Sequence, residues 1–148
     1  MSTPKPRILF TEDHEDTREM VVLFLQSDYE VATASNVVET LRMAQSGDYN
    51  LFIFDSWLPD GLGIDLCRSV REFNHHTPIL FYSGLGYEKD KNLALSSGAQ
   101  AYLVKPVDIP YLLQTINDLL TGENLELGVT ENGSNGAIER RSAVESRL

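Results

Sequence analysis

Four apolar runs in this chain each stop on polar residues: ILFT at Glu12-Asp13, LFIF at Asp55, PILFY at Ser83 and AYLV at Lys105. Strand-length runs with no polar alternation fit a parallel sheet covered on both faces. If the four are neighbours in one sheet, their carboxyl ends bring three carboxylates, a hydroxyl and an ammonium into one crevice, where open α/β sheets bind ligands. That donor set suits phosphoryl capture on an aspartate, assisted by a divalent metal.

The segments between the runs agree with such a sheet. Arg7 to Thr11 reads as a short buried strand, and Glu15 to Ser27 as a helix with Thr17, Met20, Val21, Phe24 and Leu25 on one face. Glu15 and Asp16 fall in its first turn, where carboxylates complement the helix dipole. A strand over Glu30 to Ala34 precedes a helix from Asn36 to Ser46 that Gly47 can terminate. Leu51 to Asp55 is the third strand, followed by the turn-rich loop SWLPDGLG and a helix from Ile64 to Phe73. The strand Ile79 to Ser83, a helix from Glu88 to Ser97 closed by Gly98, the strand Ala101 to Val104 and a helix from Ile109 to Leu120 complete the alternation. Five strands alternating with five helices predict a doubly wound parallel sheet with helices on both faces. The expected flavodoxin-like order is 2-1-3-4-5. Strand 2 ends in Ser35 and Asn36 and lies at an edge of that order, so the four site-bearing strands are the contiguous ones.

Composition bounds the function. A chain of 148 residues holds one domain of ordinary size plus an appendage. The expected division is a domain over residues 1–121 and a flexible acidic tail or linker over 122–148, where GENLELGVTENGSNG lacks periodicity. The last stretch, AIERRSAVESRL, is expected to form a helical turn or two. A formal net charge of −10 with no extended basic cluster argues against direct DNA binding and favours cationic partners. No run is long enough to span a membrane and the N-terminus lacks a secretory apolar region, which predicts a cytoplasmic protein. Cys67 is the only cysteine, so no internal disulfide forms, and its spacing from Ile64 and Val70 places it on a core-facing helix stripe.

On these residues the chain resembles the receiver domain of bacterial two-component response regulators, from about Lys5 to Leu120. The resemblance is carried by Glu12-Asp13, DSWLPDGLGIDL from Asp55, Ser83-Gly84, and YLVKP ending in Lys105-Pro106. It implies that Asp55 is the phosphoacceptor, loaded by a histidine kinase or phosphotransfer protein. It implies that Asp13 binds Mg²⁺ directly and Glu12 through water, with Asp55 and the backbone carbonyl of Trp57 completing the protein ligands. Lys105 is expected to pair with one phosphoryl oxygen and Ser83 to donate to another. Ser83 and Tyr102 match the family's switch pair, and the Lys105-Pro106 peptide is expected to be cis. The altered surface would be helix 4, strand 5 and helix 5, with Leu85, Tyr87 and Tyr111 facing a downstream target or a second copy in a homodimer.

Two departures from the common family pattern stand out. Glu12 replaces a more frequent aspartate, and the bulky Trp57 sits two positions past Asp55, where it either shields the phosphoryl group or packs in the loop. Among the histidines, His14 is expected at a solvated helix start, and His75-His76 in a polar connection. The chain is therefore read as a single-domain response regulator, a phosphoacceptor and not a turnover enzyme. The alternatives are a phosphorylation-independent receiver-like interaction module and the receiver part of a longer regulator. A phosphatase with an aspartyl-phosphate intermediate is disfavoured, because Trp57 occupies the place of the second aspartate such enzymes use.

Overall fold

The computed structural model describes residues 4–122 and 138–140. In chain order the elements are β1 (Arg7–Thr11), α1 (Glu15–Leu25), β2 (Glu30–Ala34), α2 (Val37–Ser46), β3 (Leu51–Phe54), β4 (Trp57–Leu58), β5 (Gly61–Leu62), α3 (Gly63–Arg71), β6 (Ile79–Ser83), α4 (Glu88–Ser96), β7 (Ala101–Val104), α5 (Ile109–Thr121) and β8 (Ile138–Arg140). The main sheet has the order β2-β1-β3-β6-β7-β8. Its first five strands are parallel, as the alternation predicts, and β8 joins β7 antiparallel with Tyr102 opposite Glu139. The order reverses direction between β1 and β3, so the crevice of the switch point opens above their carboxyl ends.

Successive side chains of each strand face opposite layers, and membership of the two core layers follows that period of two. Ile8, Phe10, Leu51, Ile53, Leu80, Leu103 and their neighbours pack with Val21 and Leu25 of α1 and Leu112 and Ile116 of α5. Leu9, Phe52, Phe54, Ile79, Phe81 and Tyr102 pack on the other face with Ala44 of α2, Leu66, Cys67 and Val70 of α3, and Ala94 of α4. On that second face an aromatic row crosses the strands. Phe52 stacks near Phe54 at 5.7 Å, Phe54 meets Phe81 edge-on at 6.3 Å, and Phe81 stacks on Tyr102 at 5.8 Å. The row holds Tyr102 against the rigid middle of the sheet.

Several expectations are corrected at the level of detail. Met20 and Phe24 are exposed, because the buried stripe of α1 runs through Val21 and Leu25 alone. The loop SWLPDGLG contains a small hairpin, β4 paired with β5, around Pro59-Asp60. Residues 138–140 form a strand and not a helical turn, since the open edge of β7 offers backbone partners that an isolated turn lacks. The rest of the expected tail lies outside the described residues. Asn36 caps α2 by accepting the Glu39 N–H at 2.8 Å, and Gly122 ends α5 in the left-handed region at φ 78°. No helix among the described residues is long and apolar enough to cross a membrane.

Candidate functional site

The carboxyl ends of β1, β3, β6 and β7 bring together the residues that the four apolar runs singled out. Lys105, one residue beyond β7, reaches across the sheet. Its Nζ donates to Glu12 Oε1 at 2.6 Å and to Asp55 Oδ2 at 3.2 Å. The adjoining Lys105-Pro106 peptide is cis, as the resemblance implies. Asp55 is nearly buried, and its other oxygen, Oδ1, accepts the Ser56 N–H at 2.7 Å. Ser83 is buried at the end of β6, and its Oγ accepts the Leu85 N–H at 3.1 Å. Asp55, Trp57, Ser83, Gly84 and Leu85 line a shallow pocket that opens to solvent.

Electrostatics separate the two bridged acids. Burial pushes the Asp55 carboxyl up; the Lys105 charge opposes this, Glu12 adds to it, and the net shift is upward. Glu12 is fully buried too, but its Lys105 hydrogen bond and charge, together with contacts to His14, outweigh burial and hold it below the usual value. Burial pulls Lys105 down, yet the Glu12 hydrogen bond and the Asp55 and Glu12 charges leave it above its ordinary value.

Glu12, Asp13 and His14 form a cluster whose ligand atoms lie within 4.8 Å of one another. His14 donates its backbone N–H to Glu12 Oε2 at 3.1 Å, and its Nδ1 lies 3.2 Å from the same oxygen and 3.5 Å from Asp13 Oδ1. Its side chain is mostly solvated, as expected of a helix start, yet it touches the acids. Asp13 Oδ1 is buried and lacks a hydrogen-bond partner, an orphaned anionic atom of the kind a hard cation satisfies. Oxygen donors from Asp13, Glu12 and Asp55 fit such an ion. His75 and His76 are exposed, meet each other edge to face, and lie outside this cluster.

The hairpin after β3 folds back onto Asp55. Gly63 N–H donates to the Ser56 carbonyl at 2.7 Å, and a Cβ on Gly63 would lie 2.1 Å from the Asp55 carbonyl oxygen. Asp60 ties the hairpin tip to α2 by accepting the Val37 and Val38 N–H groups at 2.7 and 3.0 Å. Trp57, between these anchors, is 67% exposed, so its indole is not packed into the loop.

Tyr102 is fully buried, and its hydroxyl donates to the Leu85 carbonyl at 2.7 Å. Sequence reasoning paired Tyr102 with Ser83 and missed a second hydroxyl, Ser56, whose Oγ lies 3.3 Å from the phenol oxygen. A serine directly after a strand-ending aspartate carries no periodic signal that would have marked it.

A doubly wound parallel sheet with acids, a hydroxyl and an ammonium at its switch point defines a flavodoxin-like α/β domain. Residues 8–117 match the response regulator receiver domain, and the chain belongs to that family. A probable transcriptional regulatory protein of Picosynechococcus sp. is 38% identical, aligned over 78% of this chain and 49% of its own length. The chemotaxis protein CheY of Halobacterium salinarum is 29% identical, over 78% of this chain and 97% of its own. The high-resolution structure of chemotaxis response regulator CheY4 of Vibrio cholerae superposes with a TM-score of 0.75 at 31% identity, covering 78% of this chain and 99% of that one. The chain spans about half the length of the transcriptional regulators it matches, 49% and 51% for two of them.

Proposed function

We propose that this chain is a Mg²⁺-dependent phosphoacceptor that takes a phosphoryl group on Asp55 from a histidine kinase or phosphotransfer protein in the cytoplasm. The observation that carries the reading is the Lys105 bridge to Glu12 and Asp55, three side chains from distant parts of the chain, beside the orphaned Asp13 oxygen. Three carboxylates and one ammonium leave the crevice near −2 in formal charge. Like charges about 4 Å apart repel by roughly 4 kcal/mol at an effective dielectric near 20.

In the transfer, a carboxylate oxygen of Asp55 attacks the donor phosphorus. The phosphorus–nitrogen bond of a phosphohistidine breaks, its electron pair stays on the imidazole, and a mixed anhydride forms on Asp55. Lys105 moves its charge from the carboxylates to a phosphoryl oxygen, and Ser83 donates to another. Asp13, Glu12 through water, Asp55 and the Trp57 carbonyl would hold Mg²⁺, which when bound would supply positive charge to offset that of the transferred oxygens. The protein is a stoichiometric acceptor in this reading and not a turnover enzyme. Its switching surface is α4, β7 and α5, where Tyr87 is largely exposed, whereas Leu85 and Tyr111 are half-buried. A downstream target or second copy meeting this face would also meet β8.

Intact-mass measurement after incubation with acetyl phosphate and Mg²⁺ tests the reading. The wild-type chain is expected to gain one base-labile phosphoryl group and Asp55→Asn none. Equal labelling of the two, or equal melting temperatures in Mg²⁺ and in EDTA, would count against it, and steady hydrolysis of phosphate esters would favour a phosphatase.

A further inference from the structure

His14 lies where the carboxylates of Glu12 and Asp13 converge. Its Nδ1 is 3.2 Å from Glu12 Oε2 and 3.5 Å from Asp13 Oδ1, and one ligand atom from each of the three residues falls within 4.8 Å of the others. Donors bound to one metal at about 2.1 Å stand about 3.0 Å apart at an octahedral right angle and about 3.4 Å apart at the tetrahedral angle. The imidazole nitrogen is thus spaced from both oxygens as neighbouring ligands of a single ion are.

Two further observations separate this arrangement from a surface ion pair. Asp13 Oδ1, the oxygen that faces Nδ1, is buried and has no hydrogen-bond partner. The imidazole makes no side-chain cap hydrogen bond at the start of α1, and 76% of its side chain is open to solvent, so it is available to an arriving ion. Backbone contacts hold it over the acids: the His14 N–H donates to Glu12 Oε2 at 3.1 Å. Glu12 is fixed in turn by Lys105 on its other carboxylate oxygen at 2.6 Å and by Arg18 on its carbonyl at 2.8 Å.

Magnesium is a hard ion that takes oxygen ligands and keeps several waters, so an imidazole adds little to its binding. Imidazole nitrogen suits the divalent transition metals instead. Resting on the cation-binding part of the reading above, we propose that His14 Nδ1 is a metal ligand: with Asp13 Oδ1 and Glu12 Oε2 it forms a nitrogen-and-oxygen site for a divalent first-row transition metal such as Zn²⁺, bound more tightly than Mg²⁺. His14 sorts the cations that Asp13 and Glu12 only attract.

Calorimetric titration of the full chain with Zn²⁺ and with Mg²⁺ tests this, in a His75→Gln/His76→Gln parent that leaves His14 as the only imidazole. His14→Ala is expected to weaken Zn²⁺ binding at least about tenfold, since even a residue that supports a metal ligand is worth about tenfold to a hundredfold. Its Mg²⁺ affinity is expected to change by less than about twofold. In nitrogen NMR of the parent, Zn²⁺ is expected to shift the His14 Nδ1 resonance and Mg²⁺ to leave it in place. Metal-free melting temperatures of the parent and His14→Ala are expected to match, because the ring caps nothing. Unchanged Zn²⁺ affinity in His14→Ala, or equal losses for the two metals, overturns the inference and leaves the phosphoacceptor reading intact. Zn²⁺ binding through His14 without any Mg²⁺ binding upholds the inference and overturns the Mg²⁺ dependence of that reading; a parent that binds neither ion overturns both.

Discussion

The two walls of the crevice are held by different forces. Along β1 and β3 the contacts are ionic: one ammonium shared by a carboxylate with a lowered pKa and another with a raised one. Along β6 and β7 they are neutral: a phenol, two serine hydroxyls and the Leu85 peptide. Ionic contacts rearrange when charge enters, and neutral hydrogen bonds persist until geometry changes. A charged group entering the crevice would meet ionic contacts on one wall and neutral ones on the other. Asp55 and Ser56, adjacent in the chain, stand where the walls meet.

The largest break in this comparison is expected at Lys105. Lys105→Met leaves two buried acids without their shared cation, and urea unfolding in EDTA is expected to show a loss of about 2–3 kcal/mol, toward the low side because Lys105 is partly solvated. On the neutral wall, Tyr102→Phe removes a donor and is expected to cost about 1 kcal/mol. That loss should not vary with salt or between pH 6 and about 9, since neither partner titrates there; a salt-dependent loss would erase the distinction between the walls.

Asp55→Asn sharpens the ionic side in the opposite direction. A carboxyl with a raised folded pKa contributes stability below its unfolded pKa and loses it as pH rises through the folded value. At neutral pH its charge is therefore unfavourable, and Asp55→Asn in EDTA is expected to melt slightly higher, by less than about 1 kcal/mol after solvent screening. Added Mg²⁺ should stabilise the wild-type chain more than this variant. The smallest effect is expected outside both walls, at Asp60, whose carboxyl the Val37 and Val38 N–H groups hold below its ordinary value. Its contribution is present above the unfolded pKa and lost as pH falls through the folded one, so Asp60→Asn is expected to melt slightly lower than the wild type near neutral pH and to converge with it on the acid limb of a melting curve plotted against pH.

Much of this architecture was legible from residues alone, for physical reasons that also explain the gaps. Strands such as Leu51–Phe54 and Ile79–Ser83 are buried on both sides, and continuous apolar runs mark them plainly. The β4–β5 hairpin is too short for any periodicity, and β8 has no apolar run because backbone pairing places it. In α1, Met20 and Phe24 follow helical spacing yet stay exposed, since one stripe meets the sheet. Glu12, Asp55, Ser83 and Lys105 could be found because each ends a strand. The contacts of Ser56 and His14 depend on side-chain reach across the crevice, which spacing along the chain does not encode.

The Gly63 contact has a consequence for how the domain can vary. The peptide loop that departs from Asp55 returns to touch the same residue's carbonyl, where even a methyl group would collide. Its base is a weld and its crest is open to water at Trp57. Side chains on the crest can therefore be exchanged while the backbone beneath, at Asp55, stays in register.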